Sequence, residues 1–248
     1  MTEMNGKIAI VTGSSSGIGR AVAEGLARKG AAVVVHYLKD AEKAHAVVAG
    51  IEKEGGKAIA LQADISKVAD VRRLFAEATE RLGGLDILVN CSGVDQYKPV
   101  VDVTEEDFAA MFDVNARGTF FALQEAARRI GDGGRIISIS SGGTMGRTPS
   151  TSIYCGSKAA VEQFTRALAM EMGSKNVTVN AVSPGATDTD MFARLLAQHP
   201  EYKAIGAQHS PFGRIGTPKD VADVVIFLAG ERSRWITGQN IQVGGGVV

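Results

Sequence analysis

Two side chains in the second half of the chain have the types and spacing of an acid–base pair. Tyr154 and Lys158 stand four residues apart in a helical segment, so they share one face of the helix. An ammonium group next to a phenol stabilises the phenolate, so we expect Lys158 to lower the pKa of Tyr154 towards neutral pH. Taken alone, the pair favours a simpler interpretation, in which Tyr154 is a packed, partly buried ring.

A hydroxyl group precedes this pair by thirteen residues. Ser141 follows a predicted strand, residues 135–140, and open α/β sheets bind their ligands at the carboxyl ends of strands. A serine in that place can hydrogen-bond a substrate oxygen and stabilise the charge that develops on it.

The other reactive side chains form no comparable group. The four histidines (His36, His45, His199 and His209) lack metal-ligand spacing, so we interpret them as solvated side chains and predict no metal site. Cys155 lies beside Tyr154 but has no nearby His–Asp pattern, and we interpret it as a small packing residue. Two cysteines are too few for a disulfide framework, which indicates a reducing compartment.

A glycine-rich turn lies near the start of the chain. Residues 12–19 (TGSSSGIG) separate a predicted strand, residues 7–11, from a predicted helix, residues 17–29. Glycines let the backbone turn sharply and approach a pyrophosphate, and the helix start offers free N–H groups. The G-x3-G-x-G spacing differs from the commoner G-x-G-x-x-G. A tight turn that binds nothing is the alternative, but the position between strand and helix favours nucleotide binding.

The elements around these residues must position them. Along the whole chain, short runs of β-branched residues alternate with helical stretches. This alternation predicts an α/β fold over residues 1–248: one Rossmann domain with a doubly wound, seven-stranded parallel sheet and helices on both faces. The predicted strands are 7–11, 32–37, 57–62, 86–90, 135–140, 177–182 and 240–243, and the helices are 17–29, 40–54, 66–82, 104–130, 152–172 and 218–229.

Three local predictions refine this pattern. Ser66 is expected to cap the helix 66–82, and Thr104 with Asp107 resembles a capping arrangement. Residues 186–217 are poorly periodic, and we predict a substrate lid there because long irregular insertions in compact domains are usually functional.

Composition excludes several classes of protein. Glycine accounts for 30 of the 248 residues, without a collagen period, and the 27 basic residues balance the 27 acidic ones. A protein that binds a nucleic acid through its phosphates would be more basic, so no nucleic-acid partner is predicted. No apolar run approaches the length of a membrane span, and the first residues do not resemble a signal peptide, which predicts a cytoplasmic protein.

Over essentially its full length, the sequence resembles the short-chain dehydrogenase/reductase family. It is most similar in general appearance to 3-oxoacyl-carrier-protein reductases and carbonyl reductases. The motifs that carry the resemblance, in the family's order, are TGSSSGIG at 12–19, Asp64-Ile65, Asn90-Cys91-Ser92-Gly93, Asn115, Ser141, Tyr154-x3-Lys158, Asn180, Pro184-Gly185, Thr187 and Thr189. One departure is Cys91-Ser92 where the family usually has Asn-Ala, and we expect function to survive it.

The resemblance implies a role for each matching residue. Tyr154 would be the general acid in reduction and the general base in oxidation, and Ser141 would hold the substrate carbonyl. Lys158 would bind the nicotinamide ribose. Asn115 would anchor a water molecule in a proton relay behind Lys158. The implied cofactor-binding residues are Gly13, Ser15, Ser16, Gly17, Ile18, Gly19, Tyr37, Lys39, Asp64, Ile65, Asn90, Ser92, Gly93, Tyr154, Lys158, Pro184, Gly185, Thr187 and Thr189.

The choice between the two nicotinamide cofactors depends on the end of the second strand. A carboxylate there would bind a ribose 2′-hydroxyl and repel a 2′-phosphate, but residues 36–39 (HYLK) contain none. Lys39 or the hydroxyls of Ser15 and Ser16 can serve a 2′-phosphate, so we favour NADP(H) and keep NAD(H) as the alternative.

The resulting hypothesis is an NADPH-dependent ketone or 3-oxoacyl reductase. The alternatives are an NAD-dependent alcohol or sugar dehydrogenase of the same fold, and a nucleotide-binding regulatory protein without turnover. The family resemblance also implies a small-molecule carbonyl or alcohol substrate and a homotetramer.

Overall fold

Seven short strands form one parallel sheet in the computed structural model, which describes residues 3–146 and 148–247. The strands are β1 Ile8–Thr12, β2 Ala32–Tyr37, β3 Lys57–Gln62, β4 Ile87–Asn90, β5 Arg135–Ile139, β6 Thr178–Pro184 and β7 Asn240–Val243. Their order across the sheet is β3-β2-β1-β4-β5-β6-β7. The predicted fold class is confirmed, and the ends of the strands differ from prediction by at most two residues.

Helices cover both faces of this sheet. They are α1 Gly17–Arg28, α2 Ala41–Lys53, α3 Val68–Leu82, α4 Glu105–Phe112, α5 Thr119–Arg129, α6 Ser152–Met172, α7 Asp190–Gln198, α8 Glu201–His209 and α9 Pro218–Ala229. On one face α1, α2 and α9 enclose a core that includes Val22, Val47 and Val225. On the other face α3, α5 and α6 enclose a core that includes Phe75 and Leu123.

The two cores explain why the central strands are apolar throughout. Successive side chains of a strand point to opposite faces of a sheet. In β1, Ala9 and Val11 belong to the first core, whereas Ile10 belongs to the second. Each face is covered by helices, so a strand in the middle of the sheet has no face left for polar residues.

The start of the helix predicted over residues 66–82 is wrong by two residues. α3 begins at Val68, and Lys67 occupies the capping position. Ser66 instead bonds to Asp64, whose carboxylate accepts the Ser66 hydroxyl at 2.7 Å and the Ser66 N–H at 3.1 Å. This local turn competes with capping, as Asp and Ser side chains commonly do.

The helix predicted over residues 104–130 is interrupted. Residues 113–118 form a π-helical segment between α4 and α5. At Gly118 a Cβ atom would lie 2.5 Å from both the Ile65 Cγ2 and the Ile65 carbonyl oxygen, so the helix passes the β3–α3 connection without room for a side chain. The predicted capping arrangement at the start of α4 is confirmed, with Thr104 and Asp107 forming a reciprocal capping box.

Residues 186–217 are not irregular, because they contain α7 and α8. Their two ends are joined at the base by hydrogen bonds from the Asp188 N–H to the Gly216 carbonyl (2.9 Å) and from the Gly216 N–H to the Ala186 carbonyl (2.8 Å). Both helices have nine residues, which is too short for periodicity to distinguish them from loops. The segment therefore begins after β6 and ends before α9 at neighbouring points.

Candidate active site

The predicted site residues gather at the carboxyl ends of the central strands. β1 pairs with β2 on one side and with β4 on the other. From β1, the chain therefore adds β2 and β3 in one direction across the sheet and the later strands in the other direction. Open α/β sheets bind ligands in the crevice that such a reversal creates. Thr12 at the end of β1 lies opposite Asn90 at the end of β4, and Asn90 lies opposite Ser138 of β5.

The glycine-rich turn has the shape that a phosphate-binding turn requires. Gly13 and Gly17 have φ angles of +63° and +54°, which glycine adopts without strain. A Cβ atom on Gly19 would lie 2.3 Å from the Gly13 carbonyl oxygen, so only glycine allows α1 to start so close to the turn.

The N-terminus of α1 is free to bind an anion. The Ser16 side chain makes no capping hydrogen bond, and the first turn of α1 contains no acidic residue. The first N–H groups of the helix are therefore available, together with the positive end of its dipole. A pyrophosphate fits this turn by its chemistry, because the turn offers backbone donors and no negative charge.

A second backbone strip runs along the same crevice after β4. The Thr12 hydroxyl oxygen accepts hydrogen bonds from the N–H groups of Cys91 (3.0 Å) and Ser92 (3.1 Å), which fixes this strip beside β1. A Cβ atom on Gly93 would lie 3.2 Å from both the Asn115 Oδ1 and the Lys158 Nζ. Gly93 thus joins the proposed cofactor crevice to the catalytic side chains.

The three predicted catalytic side chains come from two elements that meet at this edge. Ser141 follows β5, while Tyr154 and Lys158 lie on α6. Lys158 is buried, and its ammonium donates a hydrogen bond to the Ile139 carbonyl at 2.9 Å. Burial lowers the pKa of Lys158 to about 8, against an opposing effect of Cys91 and Asp95.

The prediction that Lys158 lowers the pKa of Tyr154 is wrong. Burial raises the pKa of this hydroxyl to about 12, although the adjacent Ser141 hydroxyl opposes the rise. The expected effect of Lys158 is missing because its ammonium is turned to the Ile139 carbonyl. Removal of a phenol from water penalises its ionised form, and no cation compensates for that penalty here.

Asn115 lies in the π-helical segment with its side chain buried. Its Oδ1 accepts the Val94 N–H at 2.9 Å, and its Nδ2 donates to the Val94 carbonyl at 2.9 Å and to the Ser157 hydroxyl at 3.0 Å. This side chain therefore ties the strip after β4 to the turn of α6 between Tyr154 and Lys158. π-Helical turns occur often at functional sites, and here the segment carries a residue of the site.

Glu162 is a buried carboxylate that the sequence analysis did not identify. It follows Lys158 by one turn of α6, so Tyr154, Lys158 and Glu162 share one face. Its Oε1 accepts hydrogen bonds from the hydroxyls of Ser140 (2.8 Å) and Thr144 (2.7 Å), which flank Ser141 on both sides. Glu162 thus holds the serine-bearing loop against the helix that carries the tyrosine.

His36 was interpreted as a solvated side chain, and this interpretation is wrong. It is buried with 2% of its surface exposed, and its ring lies directly behind the glycine-rich turn. Neither its spacing nor its neighbours in sequence indicate this, because both partners of the ring are more than twenty residues away.

The remaining predicted cofactor residues lie in five groups at the carboxyl ends of the strands. The groups are Ser15, Ser16 and Ile18, half-buried in the glycine-rich turn after β1; Tyr37 and Lys39 at the end of β2; Asp64 and Ile65 after β3; Asn90, Ser92 and Gly93 at the end of β4; and Pro184, Gly185, Thr187 and Thr189 at the end of β6. The Asp64 carboxylate is already engaged by Ser66, whose hydrogen bond lowers the Asp64 pKa. The structure brings all of these positions to one edge of the sheet.

The α7–α8 segment reaches back over this edge. A Cβ atom on Gly17 would lie 3.4 Å from the Thr189 Cγ2, so the segment touches the start of α1. Lys43 of α2 forms an ion pair with Asp190 of α7 at 3.3 Å. These contacts close the crevice on the side away from β4.

Two further side chains near Tyr154 were not predicted. Asp95 is half-buried after β4, and burial raises the pKa of its carboxyl group. Burial also raises the pKa of Tyr97 well above its usual value, and the nearby Tyr154, Asp95 and Tyr202 add to this effect. Tyr97, in the β4–α4 connection, therefore lies near both Tyr154 of α6 and Tyr202 of α8.

The described part of the chain contains neither a metal-binding cluster nor a membrane-spanning helix. Among residues 3–146 and 148–247, no group of three or more histidine, cysteine or acidic side chains is arranged to hold a metal ion. No helix within the same ranges combines the length and the apolar character needed to cross a membrane.

Comparison with known proteins gives matches over the whole chain. Residues 13–248 match the family model described as enoyl-(acyl carrier protein) reductase. The chain is 43% identical over 247 residues to an uncharacterized oxidoreductase of Methylorubrum extorquens, with full coverage of both chains. It is also 43% identical over 254 residues to a hydroxynaphthalene reductase-like protein of Metarhizium guizhouense, covering 98% of this chain and 95% of that one.

Solved structures agree closely with the fold. The angucycline C-6 ketoreductase LanV with bound NADP has a TM-score of 0.93 and 43% identity, covering 99% of this chain and 96% of its own. A short-chain dehydrogenase from Burkholderia cenocepacia in complex with NADP has a TM-score of 0.93 and 41% identity, with 99% coverage of both chains.

Proposed function

The chain belongs to the short-chain dehydrogenase/reductase family, and from this premise we propose that it reduces a ketone with NADPH, using Tyr154 as the general acid. It is an oxidoreductase that acts on a carbonyl or the corresponding alcohol. The observation that carries the proposal is the meeting of Ser141, Tyr154 and Lys158 beside a glycine-rich turn with free helix N–H groups.

Each of the catalytic side chains has a distinct task in this proposal. A bound NADPH would supply the hydride that the carbonyl carbon accepts. Tyr154 gives its proton to the carbonyl oxygen, so that the product is a neutral alcohol. Ser141 donates a hydrogen bond to the same oxygen and stabilises its developing charge. Lys158 binds the ribose hydroxyls, and Asn115 holds the strip after β4 in place behind it.

A panel of carbonyl compounds tests this proposal directly. We expect the purified protein to oxidise NADPH with at least one of a set of cyclic aromatic ketones, quinones and 3-oxoacyl thioesters. Tyr154→Phe should lower kcat at least about a hundredfold, the usual contribution of a general acid, and leave NADPH binding intact. Binding of NADPH without turnover of any compound would favour the regulatory alternative, and unchanged activity in Tyr154→Phe would exclude the assigned acid.

A cyclic aromatic ketone is the substrate class that we favour. Tyr97 lies near both Tyr154 and Tyr202, and aromatic side chains with polar edges in this place favour a flat aromatic substrate. Two relatives support the same class by name, since one is a hydroxynaphthalene reductase-like protein and the other an angucycline ketoreductase. The predicted lid, residues 186–217, is proposed to cover this pocket, because its joined base lets α7 and α8 move as one unit.

NADP(H) is the proposed cofactor, with NAD(H) as the alternative. The chain offers no carboxylate between the end of β2 and Asp40, and Lys39 is exposed beside the crevice. Two similar structures contain NADP. Lys39→Ala should weaken binding of NADPH about fivefold, which is typical of an exposed ion pair, and leave binding of NADH unchanged. Equal effects on both cofactors would exclude a role for Lys39 at the 2′-phosphate.

A homotetramer and a cytoplasmic location complete the proposal. Both cysteines are free, as expected in a reducing compartment. Two apolar surfaces are exposed and can each meet a second copy. The first surface, on and near α4–α6, comprises Val100, Val101, Phe108, Phe120 and Met170, and the second, near β7, comprises Phe227 and Trp235.

A further inference from the structure

His36 connects the ends of three strands at the cofactor crevice. It lies near the end of β2, and its Nδ1 is 2.9 Å from the Gly13 N in the glycine-rich turn after β1. Its Nε2 is 3.0 Å from the Ala63 carbonyl oxygen, just after β3. The ring therefore lies between the turn that would bind the pyrophosphate and the segment that would meet the adenine.

These two contacts allow only one form of the ring. A backbone N–H can only donate, so the Nδ1 that faces Gly13 must be an acceptor. A carbonyl oxygen can only accept, so the Nε2 that faces Ala63 must carry the hydrogen. His36 is therefore the neutral Nε2–H tautomer, since the imidazolium form has no acceptor to offer to Gly13.

The main chain of His36 holds the next residue of the turn. The Ser14 N–H donates to the His36 carbonyl at 3.0 Å, and the His36 N–H donates to the Ser14 hydroxyl oxygen at 3.0 Å. The Ser14 hydroxyl in turn donates to the Val11 carbonyl at 2.7 Å. The ring and backbone of His36 thus fix two consecutive peptide units, Gly13 and Ser14, from behind.

These peptide units leave little freedom in the turn. The Gly13 carbonyl lies against Gly19 on α1, and the Gly13 Cα faces the backbone of Ser92. If the Gly13 N–H lost its acceptor, this half-buried donor would be unsatisfied and the peptide would rotate to find another partner. Such a rotation would shift the start of α1, where the free N–H groups are.

We propose that His36 is a positioning residue for the cofactor, whose Nδ1 accepts the Gly13 N–H and so holds the glycine-rich turn in the shape that binds a pyrophosphate. The proposal rests on the cofactor site of the proposed function. It assigns an effect on cofactor binding to the Nδ1 atom of His36, and it leaves the chemical step to Ser141, Tyr154 and Lys158.

A matched pair of variants isolates that atom. In His36→Asn, the side-chain oxygen can occupy the place of Nδ1 and accept the Gly13 N–H. In His36→Gln, the longer amide reaches the place of Nε2 and can donate to Ala63, but it leaves Gly13 without an acceptor. Both variants are neutral and polar, so a difference between them reports the geometry of the hydrogen bond.

The first measurement is the Kd for NADPH of the full chain, by fluorescence titration or calorimetry, at pH 7.5. We expect the Kd of His36→Asn to stay within a factor of about three of that of the unmodified protein, and His36→Gln to bind NADPH roughly tenfold more weakly, as the loss of an acceptor for a half-buried N–H implies. The kcat for ketone reduction at saturating NADPH should differ little between the two variants.

The second measurement is the ¹⁵N NMR spectrum of the histidine rings. One of the four histidines should show the shifts of a fixed Nε2–H tautomer across neutral pH, and His36→Asn should remove that signal. A mobile equilibrium of both tautomers at His36 would overturn the proposal.

The binding results separate this proposal from the function itself. Equal Kd values for the Asn and Gln variants would exclude the Nδ1 contact while leaving the cofactor site intact. Failure of the unmodified protein to bind NADPH would overturn the proposed function and the role of His36 together. If His36→Gln does not fold whereas His36→Asn folds and binds, the need for an acceptor at Nδ1 is supported by the folding yield.

Discussion

Tyr154 holds its proton firmly in this protein. Burial raises its pKa to about 12, so at neutral pH the hydroxyl is protonated and ready to act as an acid. The reverse reaction needs the phenolate, which is scarce at that pH. As the proposed general acid, Tyr154 thus has the protonated form that reduction requires, but its high pKa makes that proton harder to release.

Among the proposed catalytic side chains, Lys158 has the pKa nearest to neutral pH. Burial lowers its pKa to about 8, so its ammonium is charged below that pH and loses its charge above it. Because kcat/KM for NADPH reports the groups of the free enzyme, we expect this ratio to decline above about pH 8.

Lys158→Arg provides the control, since arginine stays charged throughout. The variant should have a lower kcat/KM for NADPH than the unmodified protein, but this ratio should not decline between pH 7 and 9.5. The same decline in both proteins would assign the titration to another group.

His36 should make the protein sensitive to mild acid. Its pKa falls from 6.5 to about 4, mainly through burial, with the Ala63 carbonyl and the Asp64 carboxylate opposing the shift. Between these values the unfolded chain binds more protons than the folded one, so this contribution to stability is present above pH 6.5 and is lost as the pH falls towards 4. Its full size is about 3 kcal/mol.

Urea unfolding at pH 7, 6, 5 and 4.5 measures this contribution. We expect His36→Asn to lose less stability than the unmodified protein across this range, because asparagine does not titrate. Parallel curves for the two proteins would show that other groups cause the acid sensitivity.

At the scale of the elements, the serine-bearing loop and α6 are joined through Glu162. Ser140 and Thr144 both donate to one carboxylate oxygen, and Ser141 lies between them. Ser141, the proposed carbonyl-binding serine, lies two residues after the end of β5 and caps a single 3₁₀ turn, residues 142–144, which this link holds against α6. A displacement of about 1 Å can cost a hundredfold in rate.

We expect Glu162→Leu to lower kcat roughly ten- to a hundredfold, because the loop that carries Ser141 loses its anchor. Glu162→Gln should retain most of the activity, since an amide oxygen accepts the same two hydrogen bonds. Steady-state kinetics and the Kd for NADPH would be measured for both variants. If Gln is as harmful as Leu, or if NADPH binding falls as much as kcat, the role assigned to Glu162 is wrong.

The elements themselves could largely be predicted from the sequence. The strands were visible because each is a short apolar run bounded by glycine or polar residues, and helices of twelve or more residues show their period. The π-helical segment was not visible, because it depends on the contact of Gly118 with the distant Ile65. α7 and α8 were missed because nine residues carry too little periodicity.

The site, like the fold, could be predicted from the sequence only in part. Ser141, Tyr154, Lys158 and the glycine-rich turn were identified from their spacing and family pattern, and the structure brings them together. Their electrostatics could not be predicted, because the Lys158 ammonium bonds to a carbonyl on another element. His36 and Glu162 were missed since a sequence does not show which partners a buried polar group will meet.

At the scale of the whole molecule, the two apolar surfaces are the features that the monomer leaves unexplained. Val101 on the first surface is 90% exposed, and Trp235 on the second is 96% exposed. Large apolar side chains so fully in contact with water mark interaction sites. Two separate surfaces, each meeting its own copy, would build a closed tetramer with two kinds of two-fold interface.

Charged substitutions distinguish the two interfaces. We expect Val101→Asp and Trp235→Asp each to convert a tetramer into dimers, and the double variant to give monomers, as measured by light scattering after gel filtration. A matched exposed control is Lys203→Asp on α8, which lies outside both surfaces. A monomeric unmodified protein, or a tetramer that survives both changes, would contradict the proposed assembly.

The crowding of the glycine-rich turn determines where its preference for a cofactor can be redesigned. A Cβ atom on Gly13 would lie 2.9 Å from the Ser92 Cα, so a side chain there would have to displace main chain. The β2–α2 connection is different, because Leu38 and Lys39 are exposed and support no core residue, whereas the Asp40 carboxylate caps α2 by accepting the Lys43 N–H. Selection for another dinucleotide can therefore proceed at Leu38 and Lys39 at little expense in stability, while the glycine-rich turn, where we place the pyrophosphate, stays unchanged.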